Sequence, residues 1–367
     1  MKAICIGGAT VDSIATIDSD HIERMSMLNA ETSFLLLEEG RKTEALDIST
    51  HCGGGAINAA VALARLGLET GVLVKLGPDA RADFILARLT AEGISPRWIV
   101  RDDKAPTGAS VIISSHERNA AVFTFRGANA LLTPRDIASE AFNVDLAYIA
   151  GLPGRSGDCF PHIIAEAKAA GALVAVNAGV RQLSAHAQEF FDSASKIDVL
   201  TLNRREAETL LPGLVARFGE YSAPRIVAPV EQPALLRRGL VGGGYEMPLP
   251  AFFSTLRALG PRYVMLTDGS GGAFVGSDAG ILYCPAGKAN VASTAGAGDA
   301  MAATFAALIT MGYATEVALK AATLNAASVV AHIDTQSGLL RRDALEARLD
   351  AHADLKLRKW KLAGTTG

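Results

Sequence analysis

The segment Ser293-Thr294-Ala295-Gly296-Ala297-Gly298-Asp299 runs directly into an alanine-rich stretch that reads as a helix. Its small residues leave backbone N–H groups bare where that helix begins. Aligned amides and the positive end of a helix dipole attract an anion. A carboxylate at the same place is repelled by that anion unless it has a task. The economical task is a base that takes a proton from a hydroxyl while Gly296, Ala297 and Gly298 hold a migrating phosphoryl group. The same residues also read as a glycine turn with Asp299 as a helix cap.

Three further segments carry polar chemistry. Gly53-Gly54-Gly55-Ala56-Ile57-Asn58 opens a helix with glycines that admit a ligand close to the backbone. Asn58 lies one turn inside, with both a donor and an acceptor for a polyol, or else faces solvent beyond a flexible turn. Asp12 follows the first strand-like run at the end where α/β proteins bind ligands, and a carboxylate there accepts two sugar hydroxyls or caps a turn. Asn203 and Glu206 share a helical face just after the strand-like run Val199–Leu202. They can point together at a hydrated Mg²⁺ or at phosphates, and by sequence they also form a capping box.

Other chemistries are excluded by what is missing. The seven histidines show no HxH or HxxxH spacing, and GxSxG and GxxxxGK[ST] are absent. Gly7-Gly8 is not GxGxxG, which weakens a dehydrogenase reading. The chain has 367 residues, 49% hydrophobic and 20% charged, with a formal net charge of −3. That composition supports a sizeable core and leaves no basic footprint for nucleic acid. Apolar stretches such as Ala302–Ile309 fall short of the roughly 20 residues of a membrane helix. The opening MKAICIGGAT reaches glycine too soon for a signal peptide. Cys5, Cys52, Cys159 and Cys284 are far apart with no CxxC pair, so a cytoplasmic protein is expected.

These residues need a scaffold, and the patterning supplies one. Ala3–Ile6, Leu146–Ile149, Leu173–Val176, Val199–Leu202, Tyr263–Thr267 and Ala273–Val275 read as strands. Gly55–Leu66, Asp79–Glu92, His162–Ala170, Arg204–Leu211, Ala300–Met311 and Thr315–His332 read as helices. On Asp79–Glu92 the apolar side is set by Phe84, Ile85, Leu86 and Leu89. The alternation predicts a mostly parallel sheet covered by helices on both faces. Short β-rich runs at Ile14–Ile17, Phe34–Leu37, Ala45–Ile48, Ala109–Ile113 and Ala121–Phe125 read as a second set of strands. Pro212–Pro261 reads as a surface excursion, and the tail after Asp343 as a helix that frays at Ala363–Gly367.

In this order the segments resemble the ribokinase-like (PfkB) family of carbohydrate kinases. GGGAINAAVALARLG (53–67) and TAGAGDAMAATFAALITMG (294–312) are the most specific matches. KLGPDARADFILARLTAEGIS (75–95), TGAS (107–110), RGANA (126–130), TLNRREAETLL (201–211) and LTDGSGGAFV (266–275) lie where that family has its other segments. The resemblance covers roughly residues 1–340. It implies a Rossmann-like α/β core at 1–13, 50–106 and 127–345. A small β lid is implied at 14–49 and 107–126, leaving 346–367 as a C-terminal helix and frayed tail.

By the same resemblance Asp299 is the catalytic base and Gly296, Ala297 and Gly298 form its anion hole. Asp12, Gly54, Gly55 and Asn58 hold the sugar hydroxyls. Asn203 and Glu206 position Mg²⁺, through water, and the phosphates. Thr267, Gly269 and Gly272 line the nucleotide edge, and Asn325 contacts the adenine side. The expected activity is ATP-dependent phosphorylation of a small-sugar hydroxyl. The alternatives are a nucleoside kinase, with Phe34, Phe123 or Phe125 stacking on the base, and a non-catalytic sugar-binding protein on the same fold. Ser293 and Ala295 depart from the family pattern beside its monovalent-cation site, although Ser337 matches the far side, so weak or absent potassium activation is expected. Neither nucleic acid nor membrane is an expected partner; a homodimer through the lid is.

Overall fold

Five-residue apolar runs without polar alternation form the centre of a ten-stranded sheet in the computed structural model. Six neighbouring strands are parallel, in the order Glu69–Leu73, Lys2–Ile6, Leu146–Ala150, Leu173–Asn177, Val199–Asn203 and Tyr263–Thr267. Ala273–Ser277, Gly280–Cys284, Arg358–Leu362 and Ile226–Val227 continue the sheet antiparallel. The structure describes residues 1–18, 23–26, 33–36, 40, 42–115, 120–219, 226–227 and 232–362.

Helices cover both faces. Gly55–Arg65, Ala297–Thr310 and Thr315–Val329 bury Ala59, Leu63, Phe305 and Ala322 on one side. Phe160–Ala169, Arg204–Phe218 and Leu249–Ala258 bury Ile163, Leu210 and Phe252 on the other. The expected α/β class is therefore the observed one. The first of these helices carries five alanines and a glycine among its eleven residues, so it packs closely on the alanine-rich helix Ala297–Thr310. That close approach brings two distant polar residues together at the strand ends.

A separate four-stranded sheet has the order Ala120–Phe125, Gly108–Ser115, Thr10–Ile17, Ala45–Gly53. It begins at Thr10, four residues before the boundary read from sequence, and runs on to Gly53. Asp12 is thus not in a turn: it stands on a strand of this sheet, paired with His51 on one side and Ser110 on the other. Directly paired residues share a face, so Asp12, His51, Ser110 and Thr124 point one way. Phe123 and Phe125 point the other way and are exposed. Of the run Phe34–Leu37, the strand covers Ser33–Leu36; Leu37 and the side chain of Phe34 lie outside the described residues.

Three expectations need correction. The segment 212–261 is no surface excursion, because Leu235, Leu240, Met247, Phe252 and Phe253 are all buried in the second core cluster. The preceding helix also runs on through Pro212 to Phe218. A proline has no N–H for the carbonyl of Glu208, and Gly242 closes over that carbonyl from the next turn of chain. The tail is not only helical: after the helix Arg342–Ala351, Arg358–Leu362 joins the large sheet and buries Trp360. The expected fraying at 363–367 lies outside the described residues. On the helix Ala80–Ala91, which Asp79 caps, Ile85 and Leu89 are buried but Phe84 is exposed.

Candidate active site

The chain enters the helix Gly55–Arg65 from the strand Ala45–Gly53 by crossing the backbone at Gly8–Ala9, an approach that only glycine permits. Gly54 has φ +92°, and a Cβ there would sit 2.5 Å from the carbonyl oxygen of Gly8. Gly296, the cap of the helix Ala297–Thr310, has φ +79° and would drive a Cβ to 2.7 Å from Thr335 Cβ. The first bond within that helix runs from Ala300 N to Gly296 O, at 2.9 Å. The N–H groups of Ala297, Gly298 and Asp299 therefore precede the helical ladder and form the positive end of its dipole.

Asp299 stands in this first turn, half-buried. Asn58 Nδ2 donates to Asp299 Oδ2 at 2.8 Å. Burial pushes the Asp299 carboxyl above the usual carboxylate range, and the Asn58 hydrogen bond opposes that shift. Asn58 in turn accepts from Thr335 Oγ1 at 2.8 Å and from Gln336 Nε2 at 3.1 Å. Both acceptor positions of the amide are thereby used, and one N–H remains for a ligand. Asn58 is thus first a holder of Asp299, a role that sequence reading assigned to no residue. Thr335 and Gln336, which anchor Asn58, lie more than 270 residues from it and carry no motif.

Asp12 stands on the separate four-stranded sheet. It is buried, with Oδ1 unpartnered, and hydrogen bonds from Ser110 and Thr10 support it. Burial raises its pKa against those bonds and the nearby His51. The Nε2 of His51 is likewise buried and without a partner. Thus the small sheet presents unsatisfied polar atoms, Asp12 Oδ1 and His51 Nε2, on one face, and His51 was not among the residues singled out from sequence. Gly55 forms the floor: a Cβ there would stand 3.5 Å from Asp299 Oδ1.

Across the sheet, Asn203 and Glu206 form the reciprocal capping box read from sequence. Asn203 Oδ1 accepts from Glu206 N at 2.9 Å, and Glu206 Oε2 accepts from Asn203 N at 2.8 Å. Burial, reinforced by the Asp299 charge, pushes the Glu206 carboxyl up to about 7, against the bond from Asn203. Thr267 is the direct strand neighbour of Asn203, and Gly269 and Gly272 shape the tight turn that follows it, with φ +52° and +90°. Beneath the site Tyr148 is buried with its hydroxyl unpartnered; burial and the charges of Asp299, Cys5 and Glu206 raise its pKa.

Asn325 is a correction. It is fully buried, donates to Thr304 Oγ1 at 2.8 Å and accepts from Leu340 N at 2.9 Å. Its amide ties the helix Thr315–Val329 to its neighbour and to the following loop, so it does not face a nucleotide edge.

Comparison with known proteins bears on the family and the fold. The profile of the pfkB family carbohydrate kinases matches residues 15–213 and 251–342. The chain is 26% identical to a deoxyribokinase of Salmonella typhimurium over 327 residues, covering 88% of this chain and 94% of that one. It is 23% identical to a 5-dehydro-2-deoxygluconokinase of Shouchella clausii over 300 residues, covering 78% and 82%. The crystal structure of ribokinase from Thermotoga maritima superposes with a TM-score of 0.69 at 21% identity, covering 95% of this chain and 99% of that one.

Proposed function

The chain belongs to the pfkB family of carbohydrate kinases, and on that premise we propose that it moves the γ-phosphoryl group of ATP to a hydroxyl of a small sugar, with Asp299 as the base. One observation carries this reading: a carboxylate of raised pKa, fixed by Asn58 at 2.8 Å, stands in the first turn of a helix whose leading N–H groups precede the ladder.

The roles follow from position. Asp12, from the lid, and the free N–H of Asn58 hold acceptor hydroxyls. Asp299 takes the proton from the acceptor hydroxyl as its oxygen bonds to the γ-phosphorus. The bond from the γ-phosphorus to the β–γ bridging oxygen breaks, and ADP leaves. The N–H groups of Ala297, Gly298 and Asp299 are aimed at the negative charge of the transferring group. Enclosure by the lid keeps water from competing as acceptor.

Asn203 and Glu206 fit Mg²⁺. Both offer hard oxygen donors, and Glu206 is a buried carboxylate near enough to Asp299 for that charge to raise its pKa. Among the described residues no three His, Cys, Asp or Glu side chains form a metal cage, so an ion there completes its shell with water and phosphate. When bound, it neutralises charge on the phosphates. Thr267, Gly269 and Gly272 lie beside Asn203 and suit the nucleotide side.

A sugar is preferred to a nucleoside because Phe123 and Phe125 stand on the lid face opposite Asp12, where neither can stack on a base held by it. That outer face also exposes Ile48 and Val111, which supports pairing of two copies through the lid. All four cysteines are free and buried, and no helix among the described residues is long and apolar enough to cross a membrane. Both fit a cytoplasmic enzyme. The test is ADP release from ATP and Mg²⁺ across a panel of pentoses, hexoses, sugar acids and nucleosides. The proposal expects a sugar or sugar derivative to be turned over; a nucleoside as best acceptor would overturn the assignment.

A further inference from the structure

Asn58 holds Asp299 in one sense only, and the reason lies outside the site. Turned over, its amide would present oxygen to the carboxylate instead of N–H. A line of hydrogen bonds forbids that turn, and it begins at a side chain able only to donate. Arg88, on the helix Ala80–Ala91, donates from Nε to the side chain of Gln336 at 2.9 Å. A guanidinium has no acceptor, so the atom it meets is Oε1, and the other end of the buried Gln336 amide is the donor. That Nε2 donates to Cys52 O at 3.0 Å and to Asn58 Oδ1 at 3.1 Å. Asn58 Nδ2 is left to face Asp299 Oδ2, at 2.8 Å. Thr335 Oγ1 also reaches Asn58 Oδ1, but a hydroxyl serves either end of an amide and does not decide its sense.

Each member of this line is held independently. Arg88 Nη2 lies 3.0 Å from Glu92 Oε1 on the same helix face, and Glu92 also holds Arg65 at 2.6 Å. Gln336 donates its backbone N–H to Asp334 Oδ1 at 2.8 Å, and its carbonyl accepts from Arg65 Nη1 at 2.8 Å. Every polar atom of Gln336 is therefore engaged. Its bond to Cys52 O, beside Gly53 at the end of the strand Ala45–Gly53, ties the small sheet to the same amide. The line also separates the two oxygens of the base. Oδ2 is taken by Asn58, whereas Oδ1 is the oxygen beside Gly55, where a Cβ would stand 3.5 Å away.

We propose that Arg88 and Gln336 are positioning residues for the transfer: through Asn58 they turn Asp299 so that Oδ1, not Oδ2, takes the proton of the acceptor hydroxyl as the new P–O bond forms. This rests on the kinase reading above. Neither residue touches the reactants; three hydrogen bonds in line separate Arg88 from the base.

Two substitutions test it. Gln336→Glu keeps the shape and the acceptor for Arg88 but sets carboxylate oxygens against Cys52 O and Asn58 Oδ1, so Asn58 must turn its own oxygen toward Asp299. Arg88→Met removes the donor that fixes the line, while Glu92 stays paired with Arg65. Arg88 is part-exposed, so this variant keeps the test open where the buried one fails to fold. The expected kcat is lower by about 10- to 100-fold for Gln336→Glu and about 3- to 10-fold for Arg88→Met, with KM for ATP and acceptor within about threefold. The lost Asn58 bond no longer favours the charged carboxylate, so the acid limb of kcat/KM moves to higher pH in both. Glu206 and Tyr148, which also feel the Asp299 charge, are untouched by either change.

A readout without turnover accompanies the kinetics. The carboxyl ¹³C resonance of Asp299, assigned by its loss in Asp299→Asn, is titrated in the native protein and both variants. Its midpoint should rise by about half a pH unit or more in each. Native kcat with an unmoved midpoint in folded variants overturns the proposal. So does a raised acceptor KM at native kcat, which would make Gln336 a binding residue. The kinase reading fails separately: if the native enzyme turns over no acceptor but the midpoint rises as expected, the positioning stands and the transfer reaction does not.

Discussion

Asn58 and Asp299 are 241 residues apart and meet at 2.8 Å, donor to carboxylate, where two small-sided helices pack together. The bond favours the charged carboxylate, while burial disfavours it. The balance leaves Asp299 above its ordinary range, so its basic form is lost as pH falls through that raised value. Replacing Asn58 by Ala removes the opposing bond. The acid limb of kcat/KM should then move to higher pH, and kcat at neutral pH should fall by about tenfold or more as the carboxylate loses its fixed orientation. Initial rates from pH 5 to 9 for both proteins measure this. An unmoved acid limb would show that Asn58 does not tune the base.

Asp12→Ala should act on the other end of the reaction. It removes a buried carboxylate whose Oδ1 is unpartnered, leaving the acceptor hydroxyls it receives without an acceptor, at about 1–3 kcal/mol. The acceptor KM is expected to rise by about 10- to 100-fold with little change for ATP, as steady-state kinetics with each substrate varied in turn will show. A larger effect on ATP would place Asp12 on the wrong side of the site.

Asn325→Ala separates a structural amide from a nucleotide contact. The change leaves Leu340 N–H and Thr304 Oγ1 without their buried partner, at about 1–3 kcal/mol. Thermal unfolding should occur several degrees lower while ATP KM holds within twofold. An unchanged Tm with a raised ATP KM would reverse the correction made above.

That correction shows where sequence reading stops. Gly54 and Gly296 were legible because a glycine demanded by a backbone crossing leaves a motif in the chain. The capping box of Asn203 and Glu206 was legible because its partners are three residues apart. Asn325 was not, since a buried helix-to-loop tie and a ligand contact use the same amide. The grip of Thr335 and Gln336 on Asn58 was equally hidden, because only tertiary packing brings them together. Pro212 misled for a physical reason: the usual helix breaker is tolerated where Gly242 covers the freed carbonyl. Trp360 is a lone aromatic in a charged tail, and its burial depends on a sheet edge whose paired residue, Ile281, lies 79 residues earlier.

Potassium should raise the rate weakly or not at all. Ser293 is neutral, and its Oγ already accepts from Ala295 N at 3.2 Å, so the loop before the helix lacks the charge that draws a monovalent ion. Rates in potassium-free buffer and in added potassium at matched ionic strength decide it. A severalfold rise would mean that backbone carbonyls alone suffice.

The most direct measurement is the turnover of Asp299→Asn with a turned-over acceptor, alongside its acceptor and ATP KM values. The substitution keeps the shape and the hydrogen-bonding reach of the side chain but cannot accept the hydroxyl proton. The account predicts a kcat lower by about 10²- to 10⁴-fold with both KM values within a few-fold of the native enzyme. Near-native turnover in Asp299→Asn would contradict it, and would remove this carboxylate from the chemistry.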